Sequence, residues 1–382
     1  MNLKESEFVR YSRHLLLSEI GVEGQLKLKK ASVLIIGLGG LGSPLAMYLA
    51  ASGIGTLGLV DFDVVDNSNL QRQIIHGVSN VGELKTKSAT KSLKEINSEI
   101  NIIQYNVQLT SKNAIEIFAN YDIVVDGTDN FKTRYLINDT CVILGKPNVY
   151  GAIHKFEGQA SVFATKRGPC YRCLYPNPPE PNSVPSCAEA GVLGVLPGVI
   201  GTIQATEVVK LILKKGMPLI GRLLLYDALD MQFSEIKLKK NSACVICGDT
   251  PKIKKLIDYD DFCNVQKEGN TVVKENKEQE LSPQILSEYL KTKKDLFLLD
   301  VREPYEYEIC KIEGAVLIPS NLIFSHLKNL PKNKMIIVIC HHGERSQSVV
   351  NLLVDNGLRK VYNLEGGIDK YALEIDSNIN RY

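Results

Sequence analysis

The sequence predicts an α/β protein built from two units in tandem, and three observations carry that expectation. Ser32–Ile36 is a short apolar run, rich in β-branched residues, that stops at Gly37 and passes into a glycine-rich loop, as a strand buried on both faces of a parallel sheet does. Met335–Ile339 repeats the pattern late in the chain, running into Cys340 and then into a helical stretch. Between them lies a charged segment, residues 251–280, poor in large apolar residues and without periodicity, which reads as a linker between residues 1–250 and 281–382. At 382 residues and 44% hydrophobic content, the chain can bury two cores.

Near the N-terminus, residues 4–18 place Phe8, Tyr11, Leu15 and Leu16 at helical spacing with Arg10 and Arg13 between them, predicting an amphipathic helix on the outside of the first unit. The opening residues are charged where a secretory signal would be apolar, so a reducing, cytoplasmic setting is expected. A net charge of +2 without a basic patch, and no apolar run of bilayer length, argue against nucleic-acid and membrane partners.

Gly37, Gly39 and Gly42 match G-x-G-x-x-G, with Gly40 inside the turn. The first glycine permits the tight turn, the second lets backbone N–H groups approach phosphate oxygens, and the third lets the helix sit close to the strand. Ser43 is expected to cap a helix from about Pro44 to Ala51. Alone, this loop points to an NAD-dependent oxidoreductase. Thr56–Val60 is the next strand and ends on Asp61, where such folds bind a ribose hydroxyl; a simple turn cap is the alternative.

Beyond Asp61 the sequence leaves the nicotinamide pattern. Asp61, Asp63, Asp66, the run Ser68-Asn69-Leu70-Gln71-Arg72-Gln73 and Lys85 fall in one short polar segment. Cations beside a phosphate loop suit a triphosphate, whose charge must be neutralised while a phosphoryl bond breaks. A solvated charged face is the alternative, but Asn and Gln interleaved with Arg favour directed hydrogen bonds. A further strand, Asp122–Asp126, ends in GTDNFKTR, which puts Asp129 and Asn130 just past a carboxyl edge. Ligands bind there in open α/β sheets, so Asp129 is placed to hold Mg²⁺ between phosphates unless it only caps a helix.

RYSRHLLL, GLGGLGSP, LVDFDVVDNSNLQRQ, the Lys85 segment and DGTDN, in that order, resemble the E1-like adenylating enzymes of the MoeB/ThiF family through about residue 250. The resemblance implies a Rossmann-like adenylation domain with a mixed sheet, using ATP and Mg²⁺. Its partner would be a ubiquitin-like sulfur carrier protein ending in Gly-Gly, whose carboxylate attacks the α-phosphate of ATP to give an acyl-adenylate and pyrophosphate. Carried over by position, Asp61 would bind ribose, Asn69, Arg72 and Lys85 the phosphates, and Asp129 the Mg²⁺. Gly39, Gly40, Gly42, Asp63, Ser68, Leu70, Gln71 and Asn130 would complete the nucleotide site. Arg13 resembles an N-terminal arginine that reaches the ATP of a neighbouring subunit, implying a homodimer with composite active sites.

Of nine cysteines, Cys170, Cys173, Cys244 and Cys247 form two C-x-x-C pairs. Four thiolates of this spacing make a closed tetrahedral site, so structural Zn²⁺ is expected to staple the strand region around Leu223–Lys239 to the earlier loop; four unrelated buried cysteines are the alternative. Between the pairs, YPNPPEPNSVPSCAEAGVLG reads as a loop able to cross a substrate tail. Cys187 precedes a helical stretch there, which favours thiolate, and the resemblance makes it a proposed acceptor of the activated carrier.

The second unit opens at Leu281 with SPQILSEYL as a helix, Leu296–Leu299 as a strand, and Gly314–Pro319 as a short β stretch. In Cys340-His-His-Gly-Glu-Arg345-Ser346, backbone N–H groups curl around the sulfur at a helix N-terminus, which lowers a thiol pKa. The Cys340 to Arg345 spacing, DVREPYEY and LEGGIDKY resemble rhodanese, a smaller α/β sulfurtransferase domain whose cysteine carries a persulfide. Cys310-Lys311-Ile312 stands where Gly-His-Ile is usual, and Tyr371 where tryptophan is common.

The two halves together predict an adenylyltransferase–sulfurtransferase that charges a sulfur carrier with sulfur from a donor such as a cysteine desulfurase or thiosulfate. Arg13, Arg72, Cys187, Cys340 and Arg345 are the expected catalytic residues. An NAD-dependent oxidoreductase predicts nicotinamide binding instead, and a non-catalytic carrier-binding scaffold predicts no turnover. Molybdopterin, thiamine, cysteine and tRNA thiolation pathways stay open.

Overall fold

The structure is a computed structural model that describes residues 2–179, 191–264, 279–292 and 294–382. Two compact units divide the chain, Met1–Gln266 and Lys267–Tyr382. The first holds one sheet of β1 (Ser32–Ile36), β2 (Thr56–Val60), β3 (Asn101–Tyr105), β4 (Ile123–Asp126), β5 (Asn148–His154), β6 (Glu157–Phe163), β7 (Arg222–Asp227) and β8 (Gln232–Lys237). Their spatial order is β3-β2-β1-β4-β5-β6-β7-β8. The strands from β3 to β5 pair in parallel, and β6, β7 and β8 continue antiparallel, so the sheet is mixed.

Alternation along β1 divides the core. Val33 and Ile35 join one cluster with Leu45 and Leu49 of the helix Gly42–Ala51, while Leu34 and Ile36 join another with Tyr135 and Leu136 of the helix Phe131–Leu144. Because the chain leaves β1 for β2 on one side and later returns to β4 on the other, a crevice forms at the carboxyl ends of these strands. Against the expectation of no apolar run of bilayer length, the helix Leu196–Leu213 is long and apolar enough to cross a membrane by length and composition. It packs on Gly42–Ala51 and on β5 and β6, as a core helix does.

Three local expectations change. The N-terminal helix breaks at Tyr11 into Glu5–Arg10 and Ser12–Leu15. Of the four apolar residues only Tyr11 is buried, its hydroxyl accepting from Asn97 Nδ2 at 2.9 Å, while Phe8 is 45% and Leu16 76% exposed. The helix after the glycine loop starts at Gly42, so Ser43 lies inside its first turn and its hydroxyl donates to Gly39 O at 2.7 Å, leaving no N-cap role. Residues 252–264, which composition assigned to the linker, fold onto the first unit. Ile253 N donates to Val245 O at 2.9 Å, Tyr259 is buried, and the Phe262 ring meets Tyr135 edge to face at 5.1 Å. Two aromatic anchors among charges leave too weak a pattern to read.

The second unit holds β9 (Glu280–Leu281), β10 (Leu296–Asp300), β11 (Val316–Leu317), β12 (Met335–Ile339) and β13 (Val361–Leu364), in the order β11-β10-β12-β13-β9 and all parallel. Ser282 caps the helix Pro283–Lys291 by accepting from Ile285 N. β12 is central and buried at four of five positions, and it delivers Cys340 to the carboxyl edge.

Candidate active sites

A cavity of about 260 Å³ fills the crevice of the first unit. Each strand end supplies part of its lining: Gly37, Gly39 and Gly40 after β1, Asp61, Phe62 and Asp63 after β2, Val107 and Leu109 after β3, and Thr128, Asp129, Asn130, Lys132 and Arg134 after β4. Arg72, Gln73 and Lys85 enter from the connection between β2 and β3. Gly37 turns at φ +87°, and a Cβ on Gly42 would lie 2.0 Å from Gly37 O, so the third glycine serves close packing and does not line the cavity.

Asp61 organises the loop as well as facing the cavity. Its carboxylate accepts from Leu38 N at 2.7 Å and from Asp63 N at 2.9 Å. Burial pushes its carboxyl above the ordinary range, and the Lys85 ammonium works against that rise. Lys85 begins the helix Lys85–Ile96 and pairs with Asp63 at 2.9 Å. His76, absent from the sequence expectations, ties the two together: its ring reaches Ser88 Oγ at 2.9 Å and Leu38 O at 3.2 Å, and burial lowers its basicity.

Ser68, Asn69, Leu70 and Gln71 do not line the cavity. Two of them orient residues that do: Ser68 O accepts from Arg72 Nη1 at 3.3 Å, and Asn69 Oδ1 accepts from Gln73 Nε2 at 3.0 Å. Leu70 is half-buried and Gln71 exposed. Asn130 caps the helix Phe131–Leu144 by accepting from Thr133 N at 2.9 Å, which leaves Asp129 free of that role. Arg13 is exposed and does not line the cavity of its own chain. Cys187 lies outside the described residues.

In the second unit, Cys340 Sγ accepts from Gly343 N at 3.1 Å, and the Ser346 hydroxyl lies 3.1 Å from it. Gly343 sits at φ +98° and opens the helix Glu344–Asp355, so the helix N-terminus faces the sulfur. Arg345 donates to both oxygens of Glu306 at 2.7 Å. Asp300 and Arg302 form a fully buried pair, and Arg302 also donates to the Cys310 carbonyl at 2.8 Å, which gives Cys310 a backbone role in the loop. Tyr371 is buried in the core.

A cavity lined by acidic and basic side chains at the carboxyl edge of a mixed sheet, and a cradled thiol on a second, parallel sheet, can be compared with known proteins. Residues 11–246 match the ThiF family, and residues 282–374 match the rhodanese-like domain. The chain belongs to the ThiF family. All of it aligns at 45% identity with 96% of a Mycobacterium tuberculosis protein named probable adenylyltransferase/sulfurtransferase MoeZ. It aligns equally completely, at 42% identity, with 90% of a Culex quinquefasciatus protein named adenylyltransferase and sulfurtransferase MOCS3. The Escherichia coli MccB structure with ATP superposes at TM-score 0.56 and 25% identity, covering 63% of this chain and 73% of that one.

This ThiF-family chain is therefore an enzyme, an adenylyltransferase joined to a sulfurtransferase, and the oxidoreductase and scaffold readings give way. Sequence reasoning missed Phe62, Val107, Leu109, Lys132 and Arg134 as cavity residues. The available signal was position, since all of them follow the carboxyl end of a strand. Asp126 is wholly buried beneath them and accepts from the Thr128 amide at 3.0 Å and hydroxyl at 2.6 Å, which shapes the loop that carries Asp129.

Cys170, Cys173, Cys244 and Cys247 of this ThiF-family chain converge, with all four sulfurs within 4.8 Å of one another. Four thiolates so close repel unless a cation sits among them, and an all-sulfur tetrahedral donor set suits zinc. Asn241 N donates to Cys173 Sγ at 3.4 Å, a hydrogen bond of the kind that supports a metal-bound thiolate.

Proposed function

We propose that the first unit adenylates the C-terminal carboxylate of a ubiquitin-like sulfur carrier ending in Gly-Gly, and that the second carries the sulfur converting the adenylate to a thiocarboxylate. The observation that carries this reading is the convergence of the glycine loop, Asp61, Arg72, Lys85 and Asp129 on one cavity, in the same chain as a cradled thiol. A carboxylate is a poor electrophile, and attack on the α-phosphate of ATP supplies AMP as a leaving group. Asp61 would hold the ribose, while Arg72 and Lys85 face the charge that builds on the departing pyrophosphate. Asp129 would hold Mg²⁺, which supplies further charge neutralisation when bound.

Cys340, charged as a persulfide, then attacks the acyl carbon through its terminal sulfur, and AMP departs. A second thiol, proposed to be Cys187, attacks the resulting acyl-disulfide, releasing the thiocarboxylate and leaving a disulfide that a thiol reductant reopens. Exposed Arg13, flanked by exposed Phe8, Val9, Leu16 and Leu17, supports a homodimer in which it reaches the partner's cleft. Zn²⁺ is the proposed occupant of the four-cysteine site, and a reducing, cytoplasmic setting fits thiolate ligands. The test is ATP–pyrophosphate exchange with each Gly-Gly-ending carrier in turn. Exchange driven by one carrier names the partner; no exchange with any of them sinks the adenylation reading.

A further inference from the structure

We propose that Glu306 sets the donor specificity of the sulfurtransferase unit, so that Cys340 takes sulfur from a persulfide and discriminates against thiosulfate. The inference rests on the reading of Cys340 as the sulfur carrier.

Thiosulfate is a dianion, and bringing it to a thiolate gathers three negative charges around one sulfur. That encounter needs a cation opposite the sulfonate. The loop's guanidinium belongs to Arg345, and Glu306 already occupies it with two parallel 2.7 Å hydrogen bonds. The pair is largely withdrawn from solvent, with side chains 19% and 3% exposed. Glu306 is itself held in place, accepting from Glu303 N at 2.9 Å and from the Tyr382 hydroxyl at 3.0 Å. Although burial opposes it, the Arg345 contact keeps its carboxyl below the usual range, so it stays charged at neutral pH.

The other groups around the loop do not replace the lost cation. His341 is buried against the Tyr382 ring, centroids 4.1 Å apart, and burial disfavours its charged form. His342 Nδ1 lies 3.9 Å from Asp369, which is itself paired with Arg381. Arg302 is spent on Asp300, and Glu344 adds a further carboxylate within the loop. Among these groups, the four carboxylates outnumber the three guanidinium groups.

A persulfide makes a smaller demand. The Cys340 thiolate attacks the terminal sulfur of R–S–SH, the existing S–S bond breaks, and R–S⁻ leaves with the electron pair. Cys340–S–SH results, and no external oxidant or reductant is consumed. Gly343 N and the N-terminus of the helix Glu344–Asp355 suffice for the single charge that moves.

The experiment compares thiosulfate with cysteine persulfide as donors to the full-length protein, following mass addition at Cys340 and sulfur transfer to cyanide. The native protein is expected to use cysteine persulfide efficiently and to show a millimolar or weaker KM for thiosulfate. Glu306→Gln releases Arg345 and should lower the thiosulfate KM about tenfold with little change in kcat, while the persulfide KM moves less than twofold. Adding Arg345→Met to that variant should abolish the gain. A micromolar thiosulfate KM in the native protein would overturn the proposal without any variant, as would a Glu306→Gln change that weakens both donors equally. Failure of both donors to add sulfur to Cys340 would instead sink the sulfur-carrier reading itself.

Discussion

His341 packs beneath the Tyr382 ring with its Nε2 unpartnered, and burial pushes its basicity down to about 4. In the unfolded chain the same ring protonates near its ordinary value of 6.5. Between those two values the unfolded state binds the extra proton, so this residue contributes stability that is lost as the pH falls from about 6.5 to about 4. Hydrogen exchange across residues 335–346 should therefore speed up on acidification within that window. His341→Asn should flatten the response there, and an unchanged slope would remove His341 as its source. At this scale the residues that the sequence revealed are those with a local motif around them: Asp61 at a strand end, Cys340 ahead of a helix, Gly37 in a turn. Lys132 and Arg134 had only their position after a strand end, inside the first turns of the helix Phe131–Leu144, and no motif of their own. Lys132 pairs with Asp260, far along the chain, and Arg134 is buried against the Tyr150 ring, contacts that exist only once the strands are assembled.

Among the elements, strands with unbroken apolar runs were legible to the residue, as β1, β2 and β12 show. The short helix Tyr259–Asn264 was not, because tertiary contacts make it. The Tyr259 hydroxyl donates to Asp139 at 2.8 Å, and Asp139 accepts two 2.8 Å hydrogen bonds from Arg172, which lies between the first pair of knuckle cysteines. The Arg172 guanidinium also stacks 4.3 Å from the Phe262 ring. The four-cysteine site therefore braces a buried ion pair and, through it, the last described helix of the first unit. Metal removal by a chelator, or Cys173→Ser, is expected to release about one zinc per chain and to lower the unfolding temperature. Because none of these residues lines the nucleotide cavity, ATP affinity at low temperature should change less than about threefold; a larger loss would place the metal in catalysis. Arg172→Met should expose the same dependence without touching a ligand, since it strands a buried carboxylate at a cost of about 3–5 kcal/mol.

Over the whole molecule, the described residues of the first unit's cavity and of the thiol cradle lie on different sheets, so the two chemistries can be tested apart. The first unit's cavity draws on β1 to β4, and the thiol cradle on β12 and β13 with the helix between them. The mixed sheet followed from the family resemblance and not from residue patterning, since nothing local distinguishes a strand that joins the parallel half from one that extends it antiparallel from β5 to β8. Lys85→Ala should cut carrier-dependent ATP–pyrophosphate exchange by about 10²–10³-fold, the scale of losing one preorganised charge on a developing anion. Sulfur transfer to cyanide by that variant should remain intact. Cys340→Ala should do the reverse, retaining exchange and losing both persulfide loading and thiocarboxylate formation. Mixing the two variants then asks whether the adenylate made on one chain can meet the persulfide of another. Recovery of thiocarboxylate in the mixture would show transfer between chains, whereas full thiocarboxylate yield from Cys340→Ala alone, with the same donor, would remove Cys340 from the sulfur path.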